Sequence, residues 1–155
     1  MSSKSNLFSV GCLGKIINFS ETDDGRFIIN LSGIIRFKIE KEVKNEKLYR
    51  EAIVNYINFK QDLKDENQDI KKEIKKNILN KIKILFKKRG YKINWSELEV
   101  LEFAQLIDTL SMISPLSLEE KQSLIEAKDL SERIKILEKI TDLCLVDKFE
   151  IKTIQ

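Results

Sequence analysis

A chain of 155 residues, 42% of them hydrophobic, has the size and apolar content of a cored domain, which excludes disorder throughout. Its 28 basic residues are nearly matched by 25 acidic ones, so a net charge of +3 dictates no class of partner, and the absence of histidine removes the commonest general base and metal ligand. No apolar run approaches the roughly 20 residues that span a bilayer, and the start MSSKSNLFSV lacks a signal peptide's basic-then-apolar order, so the sequence predicts a cytoplasmic chain without membrane contact.

Residues 1–6 form a polar tail. Phe8 to Phe19 reads as a first strand, with Gly11 and Gly14 permitting twist. Thr22-Asp23-Asp24-Gly25-Arg26 follows, and its Asp-Gly pair supplies the positive φ angles that a tight hairpin turn needs. Beyond the turn Phe27, Ile29, Leu31, Ile35, Phe37 and Ile39 keep a period of two, which places them on one face of a long strand. Arg26, Asn30, Ser32, Arg36, Lys38 and Glu40 fall mostly on the other, and Gly33 suits a bend or bulge that leaves the phase intact. After a polar return, Leu48 to Phe59 predicts a third strand. Cys12 and Cys144 lack CxxC spacing and read as small buried hydrophobes rather than as a disulfide.

At Lys60 the composition changes. Gln61 to Asp69 is a polar connector, and Ile70, Ile74, Ile78, Ile82 and Leu85 then make the stripe of an amphipathic helix that Gly90 ends. Ser96 with Glu99, Ser117 with Glu120 and, more weakly, Asp129 with Glu132 have the spacing of helix-start signals. They predict helices over Ser96–Ile113, Ser117–Ala127 and Leu130–Val146, the first of them central. Strands followed by helices argue an α+β fold. The expected organisation is a small antiparallel sheet at 7–60, a four-helix region at 69–147, and tails at 1–6 and 148–155.

The residues offer little to catalysis. Ser-His-Asp and Cys-His arrangements need a histidine that the chain lacks. GCLGKI, from Gly11, has two residues between its glycines and Ile16 after its lysine, where a phosphate loop needs four and a hydroxyl. Glu21, Asp23 and Asp24 are accounted for by turn chemistry, because a calcium loop needs more oxygen ligands at fixed spacing. No catalytic residue, cofactor or metal is therefore assigned. The strongest polar feature is a run of lysines from Lys71 to Lys92. Lys72, Lys75, Lys76, Lys83 and Lys87 could meet phosphates, but they lie opposite an isoleucine face where any solvated helix carries charge, and aromatic interleaving is poor.

GCLGKI, ETDDGRFIINLSGIIRFKI and the Tyr49-Arg50 pair, with GYKINWSELE and SPLSLEEKQSLIEAKDLSERIKIL further on, resemble the N-terminal, substrate-binding domain family of Lon proteases, which bacteria also make as a stand-alone protein. The resemblance covers nearly the whole chain after Ser9. It implies that the sheet belongs to a PUA-like pseudo-barrel, a class that also holds RNA-binding modules. It implies a non-catalytic module that binds unfolded or extended polypeptides, in a quality-control setting with a protease or chaperone. Neither the ATPase nor the peptidase motifs of Lon are present. The family's opening segments, of Pro-Leu-Phe-Pro and Phe-Glu-Pro-Arg-Tyr type, are also missing, so the expectation is an N-terminally short member. Its open sheet edge would then self-associate or take a peptide by strand addition. Leu13, Ile28, Ile34 and Arg36 are the candidate peptide contacts, each set against plain sheet packing. RNA binding through the basic helix 70–92 is the alternative.

Overall fold

The turn that organises the N-terminal strands forms where expected, but of the Asp24-Gly25 pair only the glycine takes a positive φ. Gly25 takes φ 76°, its N–H donates to the Thr22 carbonyl (2.9 Å), and the Thr22 N–H donates to the Arg26 carbonyl (2.8 Å). On either side run β1 (Val10–Glu21) and β2 (Phe27–Val43), antiparallel, and β3 (Glu51–Asn55) pairs with the far end of β2, giving the order β1-β2-β3. The computed structural model describes residues 6–64 and 72–146, with the backbone alone at Lys72. The first and last tail residues and Ile70, the first member of the helical stripe, lie outside the described residues. The chain divides into two units, residues 1–65 and 66–155.

In the sheet unit, register overrides the simple alternation. Leu13 pairs with Ile35 and Gly14 with Gly33, which leaves Ile34 as an extra residue in β2; Ile16 pairs with Leu31 and Asn18 with Asn30, which leaves Ile17 extra in β1. Each bulge shifts the alternation by one, so the odd residues of β2 change face at Ile34. Phe27, Ile29 and Leu31 therefore point one way and Ile35 and Phe37 the other, contrary to the single row that the period of two predicts. The close approach of Phe37 to Gly11, where an added Cβ would lie 2.8 Å from its ring, fits this register.

The third strand is shorter than Leu48–Phe59. The Asn55 side chain accepts the Ile57 N–H (2.8 Å), which turns the backbone out of the ladder and into a 3-10 segment, Ile57–Leu63. That segment is fixed on β2 by Arg36 and Asp62. The guanidinium donates through Nε and Nη2 to the two carboxylate oxygens (2.8 and 2.7 Å), the Arg36 backbone N–H donates to the same carboxylate (3.0 Å), and the guanidinium carbon lies 4.5 Å from the Phe59 ring centroid. Among the described residues of this unit, Ile35, Arg36 and Phe59 are the buried ones.

The second unit contains α1 (Lys72–Arg89), α2 (Trp95–Glu99), α3 (Phe103–Ile113), α4 (Leu118–Glu126) and α5 (Leu130–Val146). Ile78, Ile82 and Phe86 of α1, Leu106, Ile107 and Leu110 of α3, Leu124 of α4 and Leu130, Ile134, Leu137 and Ile140 of α5 share one core. Gly90 ends α1 at φ 77°: the Tyr91 N–H reaches the Phe86 carbonyl (3.0 Å), the Gly90 N–H reaches that of Lys87 (3.2 Å), and the Phe86 and Tyr91 rings meet edge to face. Those paired bonds are the Schellman closure that a C′ glycine allows. The Ser117–Glu120 capping box forms, with Ser117 N–H to the Glu120 carboxylate at 2.7 Å and Glu120 N–H to the Ser117 hydroxyl at 3.2 Å. The Asp129 carboxylate likewise accepts the Glu132 N–H at 2.8 Å.

Among the described residues five α-helices stand after the sheet where four were expected, because Ser96–Ile113 is interrupted between Glu99 and Phe103. Lys75 places its ammonium on the carbonyls of Glu99 (3.3 Å) and Leu101 (2.9 Å), carbonyls that a continuing helix would have needed for its own ladder. The predicted cap at Ser96 does not form either. Its hydroxyl donates to the Asn94 side chain (2.6 Å), and the Glu99 carboxylate is held by Lys83.

Candidate functional site

The two bulges give the turn-ward half of the hairpin, residues 14–33, two unlike faces. Opposed residues share a face, so Ile16 with Leu31, Phe19 with Ile29, and Phe27 opposite Glu21 line one side. The five apolar side chains among them are between 50% and 65% exposed, and the Phe19 and Phe27 rings pack 6.2 Å apart. On the other side Lys15 faces Ser32, Asn18 faces Asn30, and Ser20 faces Ile28. Strand patterning of this kind, apolar on one face and polar on the other, is that of a sheet surface made to be covered. The order β1-β2-β3 also makes β1 a sheet edge, and β3 reaches only Lys38–Val43 of β2. An apolar face thus lies beside strand backbone on an outer edge.

The candidates named from sequence do not gather there. Ile28 is exposed but projects from the polar face, Leu13 lies on that same face nearer the base, and Ile34 is itself the bulge residue, partly exposed. Arg36 is buried and clamps Asp62. Ile16, Phe19, Phe27, Ile29 and Leu31 escape a reading by alternation because strict alternation assigns the β2 members to the core row. The bulges fall within the doubled isoleucines Ile16-Ile17 and Ile34-Ile35, but Ile28-Ile29 is doubled too and pairs regularly, so the sequence carries no local signal for them. Cys12, expected to be buried, is exposed, and its Sγ lies 3.5 Å from where a Gly33 Cβ would be.

At the arm's tip Arg26 donates through Nε to Asp24 (2.8 Å), and Thr22 also donates to that carboxylate. These two bonds, Arg26's first, hold the Asp24 carboxyl down at about 2. Near the base, Arg50 grips Glu42 through two nitrogens (2.7 and 2.8 Å), which raises the arginine and leaves it a fixed cation.

The basic helix is largely committed to its own unit. Lys75 holds the two carbonyls described above; Lys83 pairs with Glu99 and lies 5.5 Å from the Trp95 ring centroid; Lys81 pairs with Asp142; Lys88 donates to the Leu145 carbonyl (2.9 Å). Lys76 and Lys87 are exposed on α1, and the Lys72 side chain lies outside the description. Among the described residues no cluster of three His, Cys, Asp or Glu could hold a metal ion, and no helix is long and apolar enough to cross a membrane.

Comparison with known proteins adds three findings. The model of the family described as the ATP-dependent protease La (LON) substrate-binding domain matches residues 1–142. The chain is 28% identical over 147 residues to the Lon protease of Buchnera aphidicola subsp. Baizongia pistaciae, a match that takes in 92% of this chain and 19% of that protein. The chain thus spans less than a fifth of that relative. Its structure is similar to the N-terminal domain of the Mycobacterium avium complex Lon protease, with a TM-score of 0.58 and 20% identity over 90% of this chain and 73% of that one, which is a likeness of fold.

Proposed function

Since the chain belongs to the Lon substrate-binding domain family, we propose that it is a non-catalytic module that holds unfolded or extended polypeptide on the β1–β2 arm. The observation that carries this reading is the exposed apolar row Ile16, Phe19, Phe27, Ile29 and Leu31 beside an outer strand edge. An extended client adds its backbone to the edge, where hydrogen bonds are indifferent to sequence, and its alternate side chains extend the apolar face. Such a site selects by exposed apolar content, the property that separates unfolded from folded chains. The module serves as a quality-control adaptor that passes clients to a protease or chaperone, and it cleaves nothing itself. Leu13 and Ile28 stand on the opposite face of the arm and Ile34 at its bulge, so they are left out of this contact, and Arg36 serves it only by holding the base of β2 through Asp62.

The alternative, RNA on the basic helix, has less support, because Lys75 and Lys83 are already engaged within the helical unit. Fluorescence anisotropy with a labelled, reduced and carboxymethylated polypeptide tests the client reading. Leu31→Asp, which charges the centre of the face, is expected to weaken binding by about tenfold or more, whereas Lys76→Glu leaves it unchanged. Equal binding by Leu31→Asp would refute the site. Filter binding of RNA at two salt concentrations addresses the alternative, since binding through phosphates must fall steeply as salt rises.

A further inference from the structure

Glu21 is the one charged side chain on the apolar face of the arm between residues 14 and 33, and it stands at the tip, opposite Phe27. We propose that Glu21 gives the client site a direction and a charge preference: an extended segment is held antiparallel to β1, with a basic residue beside Glu21 and an apolar residue, two positions later, beside Phe19. The inference rests on the client reading of the arm and deepens it by naming the kind of segment held.

Backbone geometry is the first argument. The Thr22 N–H donates to the Arg26 carbonyl, so these two residues form a hydrogen-bonded pair at the end of the ladder. Bonded and unbonded pairs alternate along an antiparallel ladder. Ser20 with Ile28 is then the next bonded pair, while Glu21 opposite Phe27 and Phe19 opposite Ile29 are unbonded. Phe19 and Glu21 therefore turn their N–H and C=O groups away from β2, toward the outer side of β1, where no strand lies among the described residues. A strand added antiparallel closes a pair of hydrogen bonds with each of them, and parallel addition pairs less stably.

Side-chain placement is the second. Directly opposed residues share a face, with Cβ atoms about 5 Å apart. The client residue opposite Phe19 thus joins the apolar row, and the one opposite Glu21 lies beside a carboxylate. Because the strands run oppositely, the residue beside Glu21 comes two positions earlier in the client. The next alternate residue on the other side falls toward Ile16. The sequence held is basic, any, apolar, any, apolar.

Charge complementarity is the third. Glu21 is exposed and its carboxylate has no cationic partner among the described residues. Arg26, the nearest cation in sequence, is held by Asp24, and Lys15 projects from the opposite face. Asp23, also exposed, adds to the negative charge of the tip. A basic client residue finds an open partner there, and an acidic one meets like charge.

Fluorescence anisotropy of the full chain at low salt, with short labelled peptides beside the carboxymethylated polypeptide, tests this. Thr-Lys-Thr-Val-Thr-Val-Thr is expected to bind about fivefold more tightly than the same peptide with Glu for Lys, and more tightly than its reversed sequence. Glu21→Lys, with folding checked by circular dichroism, should invert the preference between the Lys and Glu peptides. On the wild type, methylating the amide nitrogen of the first Val, which faces the Phe19 carbonyl, should weaken binding by about tenfold. Methylating the Thr after it, whose N–H faces away, should cost much less. Equal affinity for the Lys and Glu peptides, or a preference that survives Glu21→Lys, overturns the charge argument. A reversed peptide that binds as tightly, or equal loss from the two methylations, overturns the antiparallel placement. Should the carboxymethylated polypeptide bind while none of the peptides does, the inference fails and the client reading stands; should the polypeptide not bind either, both fail.

Discussion

Asp24 shows how much a single turn residue commits. Its carboxyl sits at about 2 in the folded chain against an ordinary value of 3.8, because Arg26 and Thr22 donate to the charged form. A depressed folded value means that the turn gains stability above the unfolded value, and that this gain is lost as pH falls through about 2. A carboxyl-carbon NMR titration is expected to give a midpoint near 2 in the wild type, moving back toward 3.8 in Arg26→Ala; an unshifted wild-type midpoint would contradict the geometry. Arg36 makes the opposite kind of commitment, as a buried cation. Truncating it takes the guanidinium away from the Asp62 carboxylate, which is itself only 17% exposed. Arg36→Ala should cost the sheet unit about 3 kcal/mol, read from urea unfolding followed at β2 amides, and Arg36→Lys should recover little, since one ammonium cannot supply two parallel bonds and a stacked plane. A cost below about 1 kcal/mol would show that the clamp is dispensable.

Elements whose signal is local were legible in the sequence. The Asp24-Gly25 turn, the glycine closure after Arg89, and the Ser117–Glu120 box depend on a few neighbouring residues, and they form as their chemistry dictates. Elements decided by distant partners were not. The helix expected over Ser96–Ile113 breaks because a lysine some 25 positions earlier takes its carbonyls; nothing between Glu99 and Phe103 announces that. The third strand stops early because one asparagine side chain captures a backbone N–H. The candidate face depends on register, which is a property of two strands together. Counting along β2 alone puts Phe27 and Phe37 in one row, and only pairing with β1 shows that Ile34 separates them. The hairpin was therefore legible in the sequence, but the single apolar row read along β2 is divided by the register between two faces.

Across the whole molecule, burial is unevenly shared. Leu106, Ile107, Leu110 and Leu137 of the helical unit have no exposed surface, whereas Ile16, Phe19, Phe27, Ile29 and Leu31 of the arm are half exposed or more. Local stability follows buried apolar contact, so amides of α1, α3 and α5 should exchange with solvent only on global opening of their unit, and amides of residues 14–33 by easier local opening. Native-state hydrogen exchange is expected to show that order, with protection of the arm rising when a polypeptide covers it; equal protection in the free chain would mean that the arm is more firmly held than its exposure implies.

The most direct test of the account is where an unfolded polypeptide touches this chain. Amide and methyl NMR spectra recorded as a reduced, carboxymethylated polypeptide is added should show the largest changes at Ile16, Phe19, Phe27, Ile29 and Leu31, with little change along α1. Changes confined to Lys76, Lys87 and the rest of α1, or to the polar face around Asn18 and Asn30, would contradict it.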